Sequence, residues 1–219
     1  MRCFLSHGKN FFHLWKLTVK SRYYAHLFTT HSFTHAIFVD QSPLQNRIPG
    51  DWDPPFCHKG LQTAADFAAF QKTILETPEE AHLGTIHSCL GYLSHPDPTE
   101  KEDNIRYESD KKFFVGEAMK GESPFYAKLM EDHTALDHRE NIKRCFGPGS
   151  GSETKVLVIA SKKSGCFEPE GVLSVLGFVN GTGEQNGLAR GEAVEWGGHW
   201  CYWEDREKFD ALVLSFLNE

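Results

Sequence analysis

The sequence of 219 residues predicts an α/β protein with a small parallel sheet of three strands and a long helical insertion. Two short, continuously apolar runs bounded by turn residues are typical of strands that helices cover on both faces. The stretch between these runs has apolar residues at helical spacing. A third, weaker apolar run precedes a C-terminal helical pattern. The predicted order is therefore strand, helical insertion, strand, helix, strand, helix.

The three predicted strands lie at residues 36–39, 156–160 and 193–196. A linker of glycine, proline and serine at 147–152 precedes the second strand, and Gly197, Gly198 and His199 follow the third. We expect the strands to be adjacent and parallel, with right-handed crossovers, because a strand–helix–strand connection in one sheet almost always has that hand.

The predicted helices fall into three parts of the chain. The insertion spans 41–147, and we expect it to form a cap over the carboxyl edge of the sheet, a common place for a ligand crevice. A crossover helix is predicted at 169–180. A final helix has Asp205 at its N-terminal end. Its apolar face comprises Phe209, Leu212, Val213, Phe216 and Leu217.

The composition indicates an ordinary globular protein, with 40% hydrophobic and 24% charged residues. Disordered, collagen-like and disulfide-dense chains are excluded on that basis. No apolar run approaches the ~20 residues of a membrane-spanning helix. We therefore expect a cytoplasmic protein with no membrane partner. The six cysteines contain no C-x-x-C pair, which favours reduced thiols over a disulfide framework.

The charge is unevenly distributed along the chain. Five Lys and Arg residues and no acidic residue precede Asp40, whereas the rest carries 18 basic and 30 acidic residues. An acidic body argues against nucleic acid as a partner, because phosphate binding requires clustered cations. The predicted organisation is a divergent N-terminal segment at 1–21 and one domain at 22–219. The segment fits a transit peptide poorly, since it has few Arg and Ser residues.

Four short motifs follow one another along the chain, at residues 38–43, 155–160, 196–200 and 204–209. In this order they resemble the C-terminal half of the α/β-hydrolase superfamily, in its esterase- and haloperoxidase-like branch. The first, Phe38-Val39-Asp40-Gln41-Ser42-Pro43, looks like the sixth strand of that fold and the turn after it. Residues 155–160 look like the seventh strand, 196–200 like the loop after the eighth, and 204–209 like the start of the last helix. The resemblance covers roughly 22–219.

The resemblance implies nucleophilic acyl transfer on an ester, lactone or related small-molecule acyl substrate. In such a site a serine attacks, a histidine moves its proton, and a carboxylate orients the histidine. His199 matches the catalytic histidine, although a surface-loop histidine is the alternative. Asp40 matches the acid of relatives that carry it after the sixth strand, or else it is a structural aspartate of its loop. Glu168 is the next candidate for the acid.

The serine nucleophile has no counterpart in this sequence. The family's G-x-S-x-G elbow does not occur, and the expected place, near 14–19, contains no serine. Two hypotheses follow. The chain is by ancestry a serine-type hydrolase, or it is a catalytically inactive truncated remnant or binding protein. The missing elbow favours inactivity for this polypeptide expressed alone. We also expect poor solubility, because the first strand would have an unpaired edge.

No metal or cofactor is predicted. The sequence has twelve histidines but no H-E-x-x-H motif. Cys166 and Cys201 lie near the predicted site in sequence, but neither position has the elbow that a cysteine nucleophile would need. The only predicted partner is the acyl substrate, and the oligomeric state is not predicted.

Overall fold

A computed structural model describes residues 33–97, 104–181 and 187–219. Its sheet has three parallel strands in the order β1 (His35–Val39), β2 (Lys155–Ser161) and β3 (Ala189–Val194). The predicted adjacent, parallel arrangement is confirmed. The predicted N-terminal segment at 1–21, and the place expected for the serine elbow, lie outside the described residues.

The central strand β2 explains the longest continuous apolar run of the sequence. Val156 pairs with Ala36 on β1 and with Ala189 on β3, and residues 156–160 are completely buried. Val156 and Val158 face one apolar cluster, whereas the alternate residues of the strand face a second one. Because both faces are covered, a polar residue at any of positions 156–160 would lose apolar contact.

The predicted bounds of the third strand were wrong. The prediction was 193–196, whereas β3 runs from Ala189 to Val194. Strand β3 pairs with β2 on one side, and four of its six residues are half-buried or exposed. Charged side chains at Arg190 and Glu192 are therefore tolerated, and they interrupt the apolar run by which a buried strand is recognised.

The insertion between β1 and β2 is helical, as predicted. The N-terminus of its first helix has a reciprocal capping box, in which Thr63 and Asp66 each accept the other's backbone amide. The helices are α1 (Ala64–Glu76), α2 (Pro78–Cys89), α3 (Gly91–Ser94), α4 (Asn104–Ala118), α5 (Ser123–Ala135) and α6 (Arg139–Phe146).

The predicted crossover helix is divided in two at Ser174, into α7 (Pro169–Leu173) and α8 (Val175–Asn180). After β3 come the short α9 (Cys201–Glu204) and the final helix α10 (Arg206–Leu217). The Asp205 side chain accepts the backbone amide of Lys208 at 3.2 Å, so the predicted start of the last helix is confirmed.

Strand β1 pairs with β2, and within the described ranges no further strand lies on its other side. The unpaired edge expected from the sequence, and its effect on solubility, stay predictions. None of the described helices combines the length and the hydropathy that crossing a bilayer requires.

Candidate catalytic site

Asp40 is the first residue after β1, and its backbone has a φ of 43°. This left-handed conformation disfavours most side chains, but aspartate and asparagine adopt it more readily because they can hydrogen-bond locally. The Asp40 amide donates to the carbonyl of Ile159 at 2.7 Å, and the residue is completely buried. The turn therefore fixes the carboxylate at the carboxyl end of the sheet.

His199 and Asp40 form a hydrogen-bonded pair at this end of the sheet. Nδ1 of His199 lies 3.0 Å from Oδ2 of Asp40, which is the contact that an orienting carboxylate makes. The histidine side chain is 21% exposed, whereas that of the aspartate has no exposure. The alternative acid, Glu168, forms an ion pair with Lys59 at 3.2 Å instead. Of the candidate acids, Asp40 is thus the one beside the histidine.

The loop that carries His199 contains a glycine, Gly197, that no other residue could easily replace. Gly197 has a φ of 63°, and a Cβ atom there would lie 2.6 Å from Cα of Cys201. The Ser161 hydroxyl donates to the Gly197 carbonyl. The end of β2 is therefore attached to the loop in which the histidine lies.

The next glycine packs directly against the helical insertion. A Cβ atom on Gly198 would lie 2.7 Å from the carbonyl oxygen of Cys89 and 2.9 Å from Cα of Gly91. The amide of Trp200 donates to the same Cys89 carbonyl at 3.0 Å. The end of α2 thus holds the histidine loop from one side.

Glu204 connects the insertion and the histidine loop through its carboxylate. It accepts the amide of Gly91 at 2.8 Å and that of Tyr92 at 3.3 Å, at the start of α3. It also accepts the amide of Gly198. The side chain is only 4% exposed. From sequence, Glu204 appeared as part of the last helix, and only its contacts across 113 residues reveal this positioning role.

Aromatic rings close the site on the side of α4. Phe114 stacks on Trp200 with the ring centroids 4.3 Å apart, and Phe113 stacks on Trp203 at 5.0 Å. The indole nitrogen of Trp203 donates to Asp110 at 3.0 Å. These contacts bring the insertion over the histidine loop, as the predicted cap requires.

Two buried thiols lie beside His199. The Sγ atoms of Cys89 and Cys166 are 3.8 Å apart, and both lie within 4.8 Å of a ring nitrogen of His199. Cys166 was considered from sequence for its position, but Cys89 was missed entirely. The two cysteines are 77 residues apart, and no spacing pattern connects them.

The surroundings of Cys166 favour its thiolate form. Its hydrogen bond with Cys89 holds the pKa of the Cys166 thiol well below the ordinary value, assisted by nearby His199 and His58 and opposed by burial. His58 accepts the amides of Gly60 and Leu61 on Nδ1, each at 2.9 Å. The neutral ring therefore carries its proton on Nε2, as a donor.

Cys201 lies nearby but has the opposite electrostatic environment. Burial raises the pKa of its thiol, and the Asp40 carboxylate raises it further. The two cysteines considered from sequence are thus distinct. Cys166 belongs to the cluster around His199, whereas Cys201 is a protonated core residue below the loop.

The sequence matches no protein-family model and no curated protein. Solved structures do resemble the chain. An esterase from Exiguobacterium antarcticum has a TM-score of 0.66 and 14% identity, and the match covers 91% of this chain and 62% of the esterase chain. A hydrolase from Oleispira antarctica has a TM-score of 0.67 and 12% identity, and the match covers 91% of this chain and 61% of the hydrolase chain. A bromoperoxidase from Bacillus anthracis has a TM-score of 0.66 and 11% identity, and the match covers 91% of this chain and 63% of the bromoperoxidase chain.

This chain spans about three fifths of the length of these solved proteins. At such low identity the likeness is one of fold. The parallel sheet, the helices around it and the structural neighbours agree with one another, and the chain has a partial α/β-hydrolase fold.

Proposed function

We propose that this chain hydrolyses an ester, lactone or related acyl compound, with His199 as the base and Asp40 as the acid that orients it. The contact of 3.0 Å between Nδ1 and Oδ2 carries the proposal. A buried carboxylate on Nδ1 keeps the proton on that nitrogen and leaves the Nε2 lone pair to accept another. It also stabilises the imidazolium that forms.

The comparisons support the substrate class, since the structural neighbours include an esterase and another hydrolase. For this chain, the hydrolytic activity of these neighbours is part of the proposal. A serine-type mechanism needs a nucleophile, and the sequence contains no G-x-S-x-G. For this polypeptide we therefore assign the attacking group to water.

In the proposed reaction, Nε2 of His199 accepts a proton from water as the water oxygen bonds to the acyl carbon. The tetrahedral intermediate collapses, the bond to the leaving oxygen breaks, and the imidazolium returns the proton to that oxygen. The products are a carboxylic acid and an alcohol. Turnover will be slow, because general base catalysis alone contributes about 10²–10⁴-fold.

The test is hydrolysis of p-nitrophenyl acetate by the full chain. We expect release of p-nitrophenol above the buffer rate and no burst phase, because no acyl-enzyme forms. His199→Ala should lose this excess rate. His87→Ala is the matched control, since His87 is an exposed histidine of α2, and it should retain the rate. Equal rates for all three proteins would contradict the proposal.

A second candidate function is ligand binding without catalysis, and the missing G-x-S-x-G motif favours it. A non-catalytic chain would show no turnover that depends on His199. It would still be stabilised by a short-chain carboxylic acid, the product of the reaction above, because a ligand that binds only the folded state raises the melting temperature. Stabilisation by hexanoate in thermal unfolding, together with no turnover that depends on His199, identifies this candidate.

A further inference from the structure

We propose that Cys89, Cys166 and His199 form a binding site for a thiophilic divalent metal ion, and that zinc fits it best. Two thiol sulfurs and a ring nitrogen lie within 4.8 Å of one another. The residues come from the end of α2, the loop after β2 and the loop after β3. The site shares His199 with the proposed hydrolysis, but its metal binding does not rest on that proposal.

The distance between the sulfurs fits tetrahedral coordination. Two Zn–S bonds of about 2.3 Å at the tetrahedral angle place the sulfur atoms about 3.8 Å apart. The observed separation of Cys89 and Cys166 is 3.8 Å. A disulfide requires about 2.05 Å, so the two thiols are already spaced as metal ligands and would have to move together to become oxidised.

The chemistry of the ligands selects the class of metal. Two thiolates and an imidazole suit zinc and other soft or borderline ions, whereas calcium and magnesium prefer oxygen ligands. Cys89 and Cys166 are 4% and 6% exposed, so thiolates formed there need a positive partner close by. A metal ion supplies that charge at the centre of the cluster.

The Asp40–His199 pair has the arrangement that metal-bound histidines commonly show. A histidine ligand usually donates its second ring N–H to a carboxylate, which fixes the ring and raises its basicity. Asp40 accepts on Nδ1, so Nε2 is the nitrogen for the metal. Ser161 in turn holds the Asp40 carboxylate through a backbone hydrogen bond of 2.8 Å.

The backbone around the three ligands is held in place before any metal binds. The amide of Gly165 donates to the Ser88 carbonyl, and that of Trp200 donates to the Cys89 carbonyl, each at 3.0 Å. The two loops are thereby fixed to the end of α2. Three protein ligands leave one tetrahedral position for water or another ligand, as in zinc sites that are open to substrate.

Nε2 of His199 cannot hold a metal ion and accept a proton at the same time. Metal binding should therefore suppress any hydrolysis that depends on His199, while metal uptake itself can be measured without a substrate. A negative hydrolysis assay would therefore contradict the proposed hydrolysis and not the metal site. The absence of metal binding would contradict the metal site and not the hydrolysis.

The experiment is a titration of the reduced, metal-free full chain with Co²⁺, followed by displacement with Zn²⁺. We expect one equivalent to bind, with thiolate-to-cobalt charge-transfer absorption and the visible bands of tetrahedral Co²⁺. Cys89→Ser and Cys166→Ser should lose the charge-transfer intensity in part. Cys145→Ser, outside the cluster, should match the wild type. Asp40→Asn should weaken binding about 10–100-fold.

If a variant fails to fold, the spectrum of the wild-type protein by itself tests the proposed metal site. Stoichiometric uptake without thiolate charge transfer, or no uptake at all, would overturn the proposal. So would unchanged spectra in Cys89→Ser and Cys166→Ser once circular dichroism shows that both are folded.

Discussion

The backbone amide of Ser161 donates a hydrogen bond to Oδ1 of Asp40 at 2.8 Å. Ser161 is the last residue of β2, and its hydroxyl also donates to the carbonyl of Gly197, two residues before His199. The middle strand therefore holds both halves of the Asp40–His199 pair. Asp40 is therefore oriented both by its own turn after β1 and by the amide of Ser161 on β2.

Ser161→Ala should destabilise the fold by about 1–3 kcal/mol, because it leaves buried polar groups without partners. The serine is 1% exposed, and its hydroxyl also accepts the amide of Lys163 at 3.0 Å. Urea unfolding gives the free energy of unfolding. Ser215→Ala, an exposed position of α10, is the control and should change it by less than about 0.5 kcal/mol. Equal effects would show that the Ser161 hydroxyl does not hold the loop.

The approach of Asp40 to His199 could be predicted because the family resemblance named the two residues and a simple rule of topology brings them together. Asp40 follows β1 and His199 follows β3, on either side of β2. The carboxyl ends of all strands in a parallel sheet lie at the same edge. The rule does not require knowledge of side-chain packing. Glu168, the next candidate for the acid, is paired with Lys59 instead.

The contact between Cys89 and Cys166 could not be predicted in this way. It depends on how the end of α2 packs on the loop after β2, where a Cβ atom on Gly165 would lie 2.7 Å from the Ser88 carbonyl oxygen. Such a close approach is a property of tertiary packing. Glu204 was missed for the same reason, since its partners at Gly91 and Tyr92 lie in a distant part of the chain.

Gly198→Ala should destabilise the protein by about 1–3 kcal/mol, the usual cost of overpacking. The new Cβ atom would meet the carbonyl of Cys89 at 2.7 Å and Cα of Gly91 at 2.9 Å, which are backbone atoms that cannot turn away. Gly177→Ala is the matched control, because nothing lies within 4 Å of a Cβ atom there. In α8 alanine should be neutral or stabilising by up to about 1 kcal/mol. Thermal and urea unfolding compare the two, and a stable Gly198→Ala protein would contradict the close approach.

Asp40→Asn should lower kcat/KM for p-nitrophenyl acetate at least about tenfold, within the range that acid–base catalysis contributes. Asparagine tolerates the left-handed backbone of Asp40, whose φ is 43°, so the turn is kept while the charge beside His199 is lost. Alanine would change both. Asp132→Asn, with a side chain 61% exposed, should leave kcat/KM unchanged. An undiminished rate for Asp40→Asn would mean that the carboxylate does not assist the histidine.

His82 should make the free energy of unfolding fall as the pH falls. It is 5% exposed in α2, with its ring edge-on to Tyr126 at 5.0 Å, and burial lowers the pKa of its imidazole. In the unfolded chain the pKa returns to about 6.5. Between the lowered value and about 6.5 the unfolded chain therefore binds more protons, so stability is complete above this window and is lost as the pH falls through it.

His82→Phe removes this titration, and urea unfolding between about pH 7.5 and 5 should show a smaller loss of stability on acidification than in the wild type. His87→Phe makes the same change at an exposed position of the same helix and should keep the wild-type slope. Because both variants lose one histidine, their different slopes would isolate the effect of burial. Identical slopes would mean that the buried imidazole of His82 does not account for the acid sensitivity.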